Sequence, residues 1–148
     1  PIFIDPVSTV KAEKLRGLLA RVHTLKPNRI EAELLSGVQI TDGESLRQAA
    51  QALLDQGVQR VFLSLGGDGV LAAQRGEVHA APICKAEMRN ATGAGDAMMA
   101  SLVWSFLSGR TLAESAAAGT AAAALAVESE ETINPAMSAE AVERRMAR

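Results

Sequence analysis

The feature that most constrains this fold is an alternation. Three short apolar runs, "IFID" (2–5), "VHTL" (22–25) and "RVFLSL" (60–65), are separated by longer segments of helical period. A run that is apolar on both faces reads as a strand buried on both sides, the mark of a parallel sheet, and parallel pairing needs crossover helices. Leu15, Leu18, Leu19 and Val22 recur at i, i+3, i+4 and i+7, which predicts an amphipathic helix over that stretch. "RIEAELLSG" reads as a second helix closed by Gly37, a C′ glycine. "TDGE" has the S/T-x-x-E spacing of a capping box, with Thr41 as cap and Glu44 at N3, opening the helix marked by Leu46, Ala49, Ala50, Leu53 and Leu54.

After "RVFLSL" the pattern changes. "VLAAQ", a turn at Arg75-Gly76 and "EVHAAPI" predict an antiparallel hairpin, edge-like because of its polar positions and Pro82. Helices follow over about Gly95–Ser108 and Leu112–Val127, the first closed by Gly109 and the second opened by the capping-box spacing "TLAE". "ETINPAMS" reads as a loop and "AEAVERRMAR" as a terminal helix with a charged outer face. The expected class is α/β, a mostly parallel sheet covered by helices. No repeat, linker or composition break marks a second domain, and 148 residues with 48% hydrophobic content suffice for one core.

Composition excludes several function classes. A formal charge of −2 provides no basic footprint for nucleic acid. No apolar run approaches the ~20 residues of a membrane span; the longest candidate is the alanine-rich "AAAGTAAAALAV". The single cysteine, Cys84, rules out an internal disulfide and a multi-cysteine zinc site and fits a reducing, cytoplasmic setting. His23 and His79 lack ligand-spaced partners and read as structural or surface residues. The chain opens on a strand pattern with neither a signal-like start nor a methionine, as if entered partway through a fold.

Open parallel sheets bind ligands beyond the carboxyl ends of their strands. The residues there are Asp5, then Asn28, then "GGDG" (66–69), with "NATGAGD" (90–96) after the hairpin. In "GAGD" a helix N-terminus exposes unpaired N–H groups, and glycines let an anion approach them. Asp96 would repel that anion unless its carboxylate has a task such as accepting a proton. Attack of a hydroxyl on a γ-phosphoryl group needs such an acceptor, together with the amides of Gly93, Ala94, Gly95 and Asp96. The competing reading is a tight turn with Asp96 complementing the helix dipole; the residues alone leave both open.

Other glycine motifs fail. "GAGDAM" carries Met98 where a dinucleotide fingerprint needs its third glycine, and no G-K-[ST] triplet of a P-loop occurs. "PNRIE" puts Asn28 three residues before Glu31, a spacing that suits a capping box and equally an amide for phosphate oxygens and a carboxylate for Mg²⁺ through its waters. "SLGGDG" is either the corner into the hairpin, centred on Asp68-Gly69, or a bare backbone along which a nucleotide could lie.

Taken together, these motifs resemble the C-terminal half of the ribokinase-like, or PfkB, family of sugar and nucleoside kinases. "NATGAGDAMMA" is similar to the family's second signature, "PNRIE" to its N-x-x-E and "SLGGDGV" to its nucleotide loop, in the same order and spacing. The resemblance covers nearly all of residues 1–148 and implies a three-layer α/β/α fold with a mostly parallel sheet and an antiparallel hairpin at one edge. It further implies that Asp96 is the catalytic base and that Gly93, Ala94 and Gly95 with Asp96 form the anion hole. Asn28, Ser64, Gly66, Gly67, Asp68, Gly69, Thr92, Gly95 and Thr120 would serve the nucleotide, the last near adenine, and Glu31 would serve Mg²⁺ through water. Asn90 stands where many relatives carry aspartate beside a monovalent-cation site, which leaves potassium dependence open.

The family's first half, with its di-glycine signature, substrate-gripping residues and small β lid, has no counterpart in these residues. The implied activity is transfer of phosphate from ATP to a primary hydroxyl of a small nucleoside or sugar. "HTLKPNRIEAELLSG" and "TINPAMS" are most similar to the nucleoside branch. The alternatives are another sugar kinase, or a nucleotide-binding module without catalysis. No nucleic-acid or membrane partner is expected; homodimer formation through the lid, as in relatives, is compatible, and residues 1–148 alone are expected to be inactive.

Overall fold

A computed structural model describes residues 1–148. Its five-stranded sheet has the order β1-β2-β3-β4-β5. Strands β1 (Phe3–Ile4), β2 (Thr24–Leu25) and β3 (Arg60–Ser64) are parallel, with Phe3 opposite Thr24 and Leu25 opposite Val61. β4 (Val70–Gln74) runs antiparallel to β3, and β5 (Glu77–Ala81) completes the hairpin at the sheet's edge. The sheet is therefore mixed, with a parallel part and the predicted edge hairpin. Val61, Phe62 and Leu63 are all buried, as expected of a strand covered on both faces. β5 alternates half-buried and exposed residues and stops before Pro82.

The chain divides into two compact units. One comprises residues 1–66 and 70–80, with the sheet and helices α1 (Thr9–Glu13), α2 (Arg29–Ser36) and α3 (Gly43–Asp55). Its core joins Leu25, Val61 and Leu63 of the strands to Leu35, Ala49, Ala50 and Leu53 of the helices. α2 ends at Gly37, whose φ of 73° is the left-handed cap expected there.

Two local expectations are corrected here. The predicted helix through Val22 does not form. α1 stops at Glu13, and the chain turns through Gly17, at φ 78°, into a 3₁₀ turn over Leu19–Arg21. Leu19 and Val22 are nonetheless buried while Leu18 is exposed, so the apolar spacing reports packing of a turn that a left-handed glycine keeps from becoming a helix. The cap of α3 also lies one residue later than Thr41. Asp42 accepts from the Ser45 N–H at 2.8 Å, and Ser45 Oγ in turn accepts from the N–H of Asp42 at 3.0 Å. A carboxylate outcompetes the neighbouring threonine for the cap, and serine replaces the expected glutamate.

The second unit comprises residues 67–69 and 81–148, with α4 (Ala94–Leu107), α5 (Leu112–Val127) and α6 (Ala139–Met146). The alanines and Gly119 of α5 let α4 come close: a Cβ on Gly119 would lie 3.1 Å from Met98 Cγ. Ala118, Ala121, Ala122 and Val142 form its core with Trp104, Leu125 and Met146 packed around them. α6 is tied down by a bidentate pair, Arg145 donating to Glu128 at 2.9 and 2.6 Å. No helix is long and apolar enough to cross a membrane.

Candidate functional site

In the first unit the site residues cluster where β2 and β3 end. Asn28 follows β2 directly, forms an isolated parallel bridge with Ser64 at the end of β3, and caps α2. Both halves of the capping box are made: Asn28 Oδ1 accepts from the Glu31 N–H at 2.8 Å, and Glu31 Oε1 accepts from the Asn28 N–H at 3.0 Å. The structural reading of "PNRIE" is thus correct, but it does not exhaust these residues. Glu31 is 2% exposed, and its second oxygen, Oε2, is buried with no partner. A cap needs only one carboxylate oxygen, and an unpartnered buried one carries a desolvation penalty of about 1–3 kcal/mol or more. Asn28 is exposed, and only its oxygen is used, so its NH₂ group is uncommitted.

Ser64 donates its N–H to the Pro27 carbonyl at 2.9 Å and directs its hydroxyl to the same oxygen at 3.4 Å. The corner that follows is a 3₁₀ turn over Gly66–Asp68 rather than a turn centred on Asp68-Gly69. Gly66 and Gly67 have open space where a side chain would stand, whereas a Cβ on Gly69 would strike the Ala81 carbonyl oxygen at 2.0 Å. Gly69 is therefore explained by packing; Gly66 and Gly67 leave bare backbone beside open space.

In the second unit the motif "NATGAGD" runs into the head of α4. Asn90 Oδ1 accepts from the Thr92 N–H at 2.9 Å while its amide donates to the Glu130 carbonyl at 3.1 Å, so Asn90 braces the loop. Gly93 occupies the N-cap position at φ 90° with no side-chain cap, and a Cβ there would lie 2.5 Å from the Thr132 carbonyl oxygen. Both the dihedral and the close approach require glycine. Gly93 offers no side chain to cap α4, so the N–H groups of Ala94, Gly95 and Asp96 in its first turn have no side-chain acceptor from the N-cap residue. Asp96 is exposed in the first turn of α4. Thr120 lies buried on α5, its hydroxyl donating to the Ala117 carbonyl at 3.0 Å, with Cys84 Sγ 3.7 Å away.

Sequence reasoning passed over Lys26. Its ammonium, on a side chain 7% exposed, pairs with Asp5 Oδ2 at 2.9 Å, joining the carboxyl ends of β2 and β1. The one signal in the sequence is a lysine between a buried strand and Pro27, a place where burial of a charge demands a partner.

These residues fit the groups that the motifs imply. The orphaned Oε2 of Glu31 suits a hydrated Mg²⁺, and the open backbone at Gly66-Gly67 and the head of α4, which has no side-chain cap, suit phosphate oxygens. No group of three or more His, Cys, Asp or Glu side chains is arranged to hold a metal by itself, so Mg²⁺ would come with its waters and the phosphates it serves.

Strand ends that carry Asn28 and Ser64, and a glycine-headed helix without a side-chain cap, are each features that suit phosphate oxygens, and comparison with known proteins gives the family. Residues 1–139 match the pfkB family of carbohydrate kinases, and the chain belongs to that family. It is 42% identical over 139 residues to the pseudouridine kinase of Escherichia coli K12, a match covering 93% of this chain and 44% of the relative. Among solved structures, a Clostridium perfringens protein described as a sugar kinase superposes with a TM-score of 0.92 at 32% identity, covering 98% of this chain and 46% of that one. The Arabidopsis thaliana ribokinase complexed with ribose and ATP superposes with a TM-score of 0.83 at 25% identity, covering 99% and 47%. The chain thus spans less than half the length of the proteins it matches, and the ribokinase-like fold expected from its motifs is the fold it has.

Proposed function

We propose that these residues are the ATP-binding and catalytic half of a kinase that transfers the γ-phosphoryl group of ATP to the 5′-hydroxyl of pseudouridine. The observation that carries this reading is the head of α4, where a left-handed glycine N-cap leaves the first turn without a side-chain cap beside an exposed carboxylate. Asp96 accepts the proton of the attacking hydroxyl, and the N–H groups of Gly93, Ala94, Gly95 and Asp96 donate to the oxygens on which negative charge develops. The Asn28 amide donates to phosphate oxygens, and Ser64, Gly66, Gly67, Asp68, Gly69, Thr92 and Thr120 serve the nucleotide in this reading. Glu31 Oε2 would hold Mg²⁺ through water; when bound, that ion neutralises charge on the phosphates. Asn90 Oδ1 already accepts from the Thr92 N–H, and although its second lone pair could serve a monovalent cation, this reading does not require potassium activation. The identity to a pseudouridine kinase supports the nucleoside acceptor, and the single thiol fits a reducing cytoplasm.

A second reading, transfer to a sugar, is favoured by the two sugar-kinase structures. Both are tested on the full-length protein that carries this chain, assayed with pseudouridine, other nucleosides and free sugars. The expected result is the highest kcat/KM on pseudouridine. Asp96→Asn should lower kcat by roughly 10²- to 10⁴-fold while MgATP binding changes little. Unchanged turnover would remove Asp96 from the reaction, and MgATP binding by the parent protein with no transfer to any acceptor would leave a nucleotide-binding module.

A further inference from the structure

Val7 is the sole non-glycine residue at positive φ, at 68°. A β-branched side chain is disfavoured there, because its Cβ crowds the following carbonyl. Burial of the side chain does not compensate, since Val7 is 66% exposed. What holds the turn is Asp5: one carboxylate oxygen accepts from the Val7 N–H at 3.1 Å, and the other pairs with the buried Lys26 ammonium at 2.9 Å. The Ser8 N–H adds a bond to the Pro6 carbonyl at 2.8 Å. An ion pair between the buried Lys26 and the half-buried Asp5 thus holds a strained turn that presents an isopropyl group to the outside.

The turn lies immediately beyond the carboxyl end of β1, the zone where parallel sheets bind ligands. Across the sheet, β3 leads into the glycine corner, β2 into Asn28, and β1 into Val7. Val7 therefore sits on the side of the phosphate-binding residues away from the nucleotide loop. Backbone strain of this kind persists where the surroundings over-determine it and is typical of ligand clamps. We propose that Val7 is a specificity-determining contact for the phosphoryl acceptor, its methyl groups packing on the apolar face of a nucleoside base or sugar ring, with Asp5 and Lys26 as the residues that position it. The proposal rests on the kinase reading above.

The test uses the full-length protein, with acceptor and MgATP varied separately. Val7→Gly removes the methyl groups and suits the left-handed turn. It should raise KM and the calorimetric Kd for the acceptor about tenfold, the scale of losing a hydrophobic contact, while KM for MgATP stays where it was and Tm does not fall. Val7→Asn, which also tolerates this dihedral, should do the same. Asp5→Asn should lower Tm by leaving Lys26 unpaired and weaken the acceptor as well. An unchanged acceptor KM in the glycine variant, or a change in the MgATP constant instead, would overturn the proposal while leaving the kinase reading intact. A parent protein that phosphorylates no acceptor would remove the kinase reading itself, and the proposal with it.

Discussion

Two helices in this chain begin with the same device and use it differently. At the head of α2, Asn28 and Glu31 exchange hydrogen bonds of 2.8 and 3.0 Å; at the head of α5, Thr111 and Glu114 exchange bonds of 3.2 and 2.8 Å. As caps they are equivalent. Their surroundings are not: Glu114 is exposed, with its second oxygen in water, whereas Glu31 is buried with its second oxygen facing no partner. A box needed only for capping gains nothing by burying a carboxylate, so the difference supports the proposal that the head of α2 also serves a ligand, while that of α5 needs only its capping role. α4 is the extreme of the series, a head with no side-chain cap at all.

The comparison breaks most readily at Glu31. In the full-length protein Glu31→Gln preserves Oε1 as the acceptor for the Asn28 N–H and replaces the orphaned oxygen by an amide. We expect kcat/KM for MgATP to fall about 10- to 100-fold, the scale of losing an outer ligand of a metal, with no loss of Tm. Glu114→Gln should leave the same constant untouched. Equal kinetics in the two variants would reduce both boxes to capping.

Asn28→Ser sharpens the same point. Serine caps as well as asparagine, so stability should hold, but the uncommitted NH₂ group is lost. The KM for MgATP should rise about tenfold, as for one hydrogen bond to a charged group. Steady-state kinetics alongside thermal unfolding would separate the two roles. At the other head, Thr111→Ala should cost about 1 kcal/mol of stability, read by denaturant unfolding, with no kinetic change.

These contrasts also bear on what could be read without coordinates. The elements that rest on local rules were legible: the Thr111–Glu114 box, the Gly37 cap and the hairpin turning at Arg75-Gly76 are each where spacing puts them. Where two local signals competed, reading failed. Asp42 took the cap from Thr41, and Gly17 broke a helix whose apolar stripe looked continuous. The motifs at Asn28, Glu31 and Gly93 could be seen, but "PNRIE" suits a cap and a proposed ligand site with the same letters, and the burial of Oε2, which only the fold reveals, is what sets it apart from the Thr111–Glu114 box. Lys26 and Val7 were invisible for a deeper reason, since the ion pair and the dihedral that give them meaning depend on β1 and β2 lying side by side.

The smallest effect concerns acid. The Glu114 carboxyl is held below its ordinary range, chiefly by the main-chain N–H of Thr111 and then by the Thr111 side chain. A carboxylate whose folded-state pKa is depressed contributes stability that is complete above its unfolded value of about 4.3 and is lost as pH falls through the folded value. Glu114→Gln keeps an acceptor for the Thr111 N–H but does not titrate, so the variant's Tm should decline less steeply than the parent's below about pH 4.3. Some slope will remain, because Asp42, Glu77 and Glu128 are held low in the same direction by their own hydrogen bonds. Superimposable acid limbs for variant and parent would mean that charge adds nothing to the α5 box, and Glu114 would then serve as a reference for capping geometry alone.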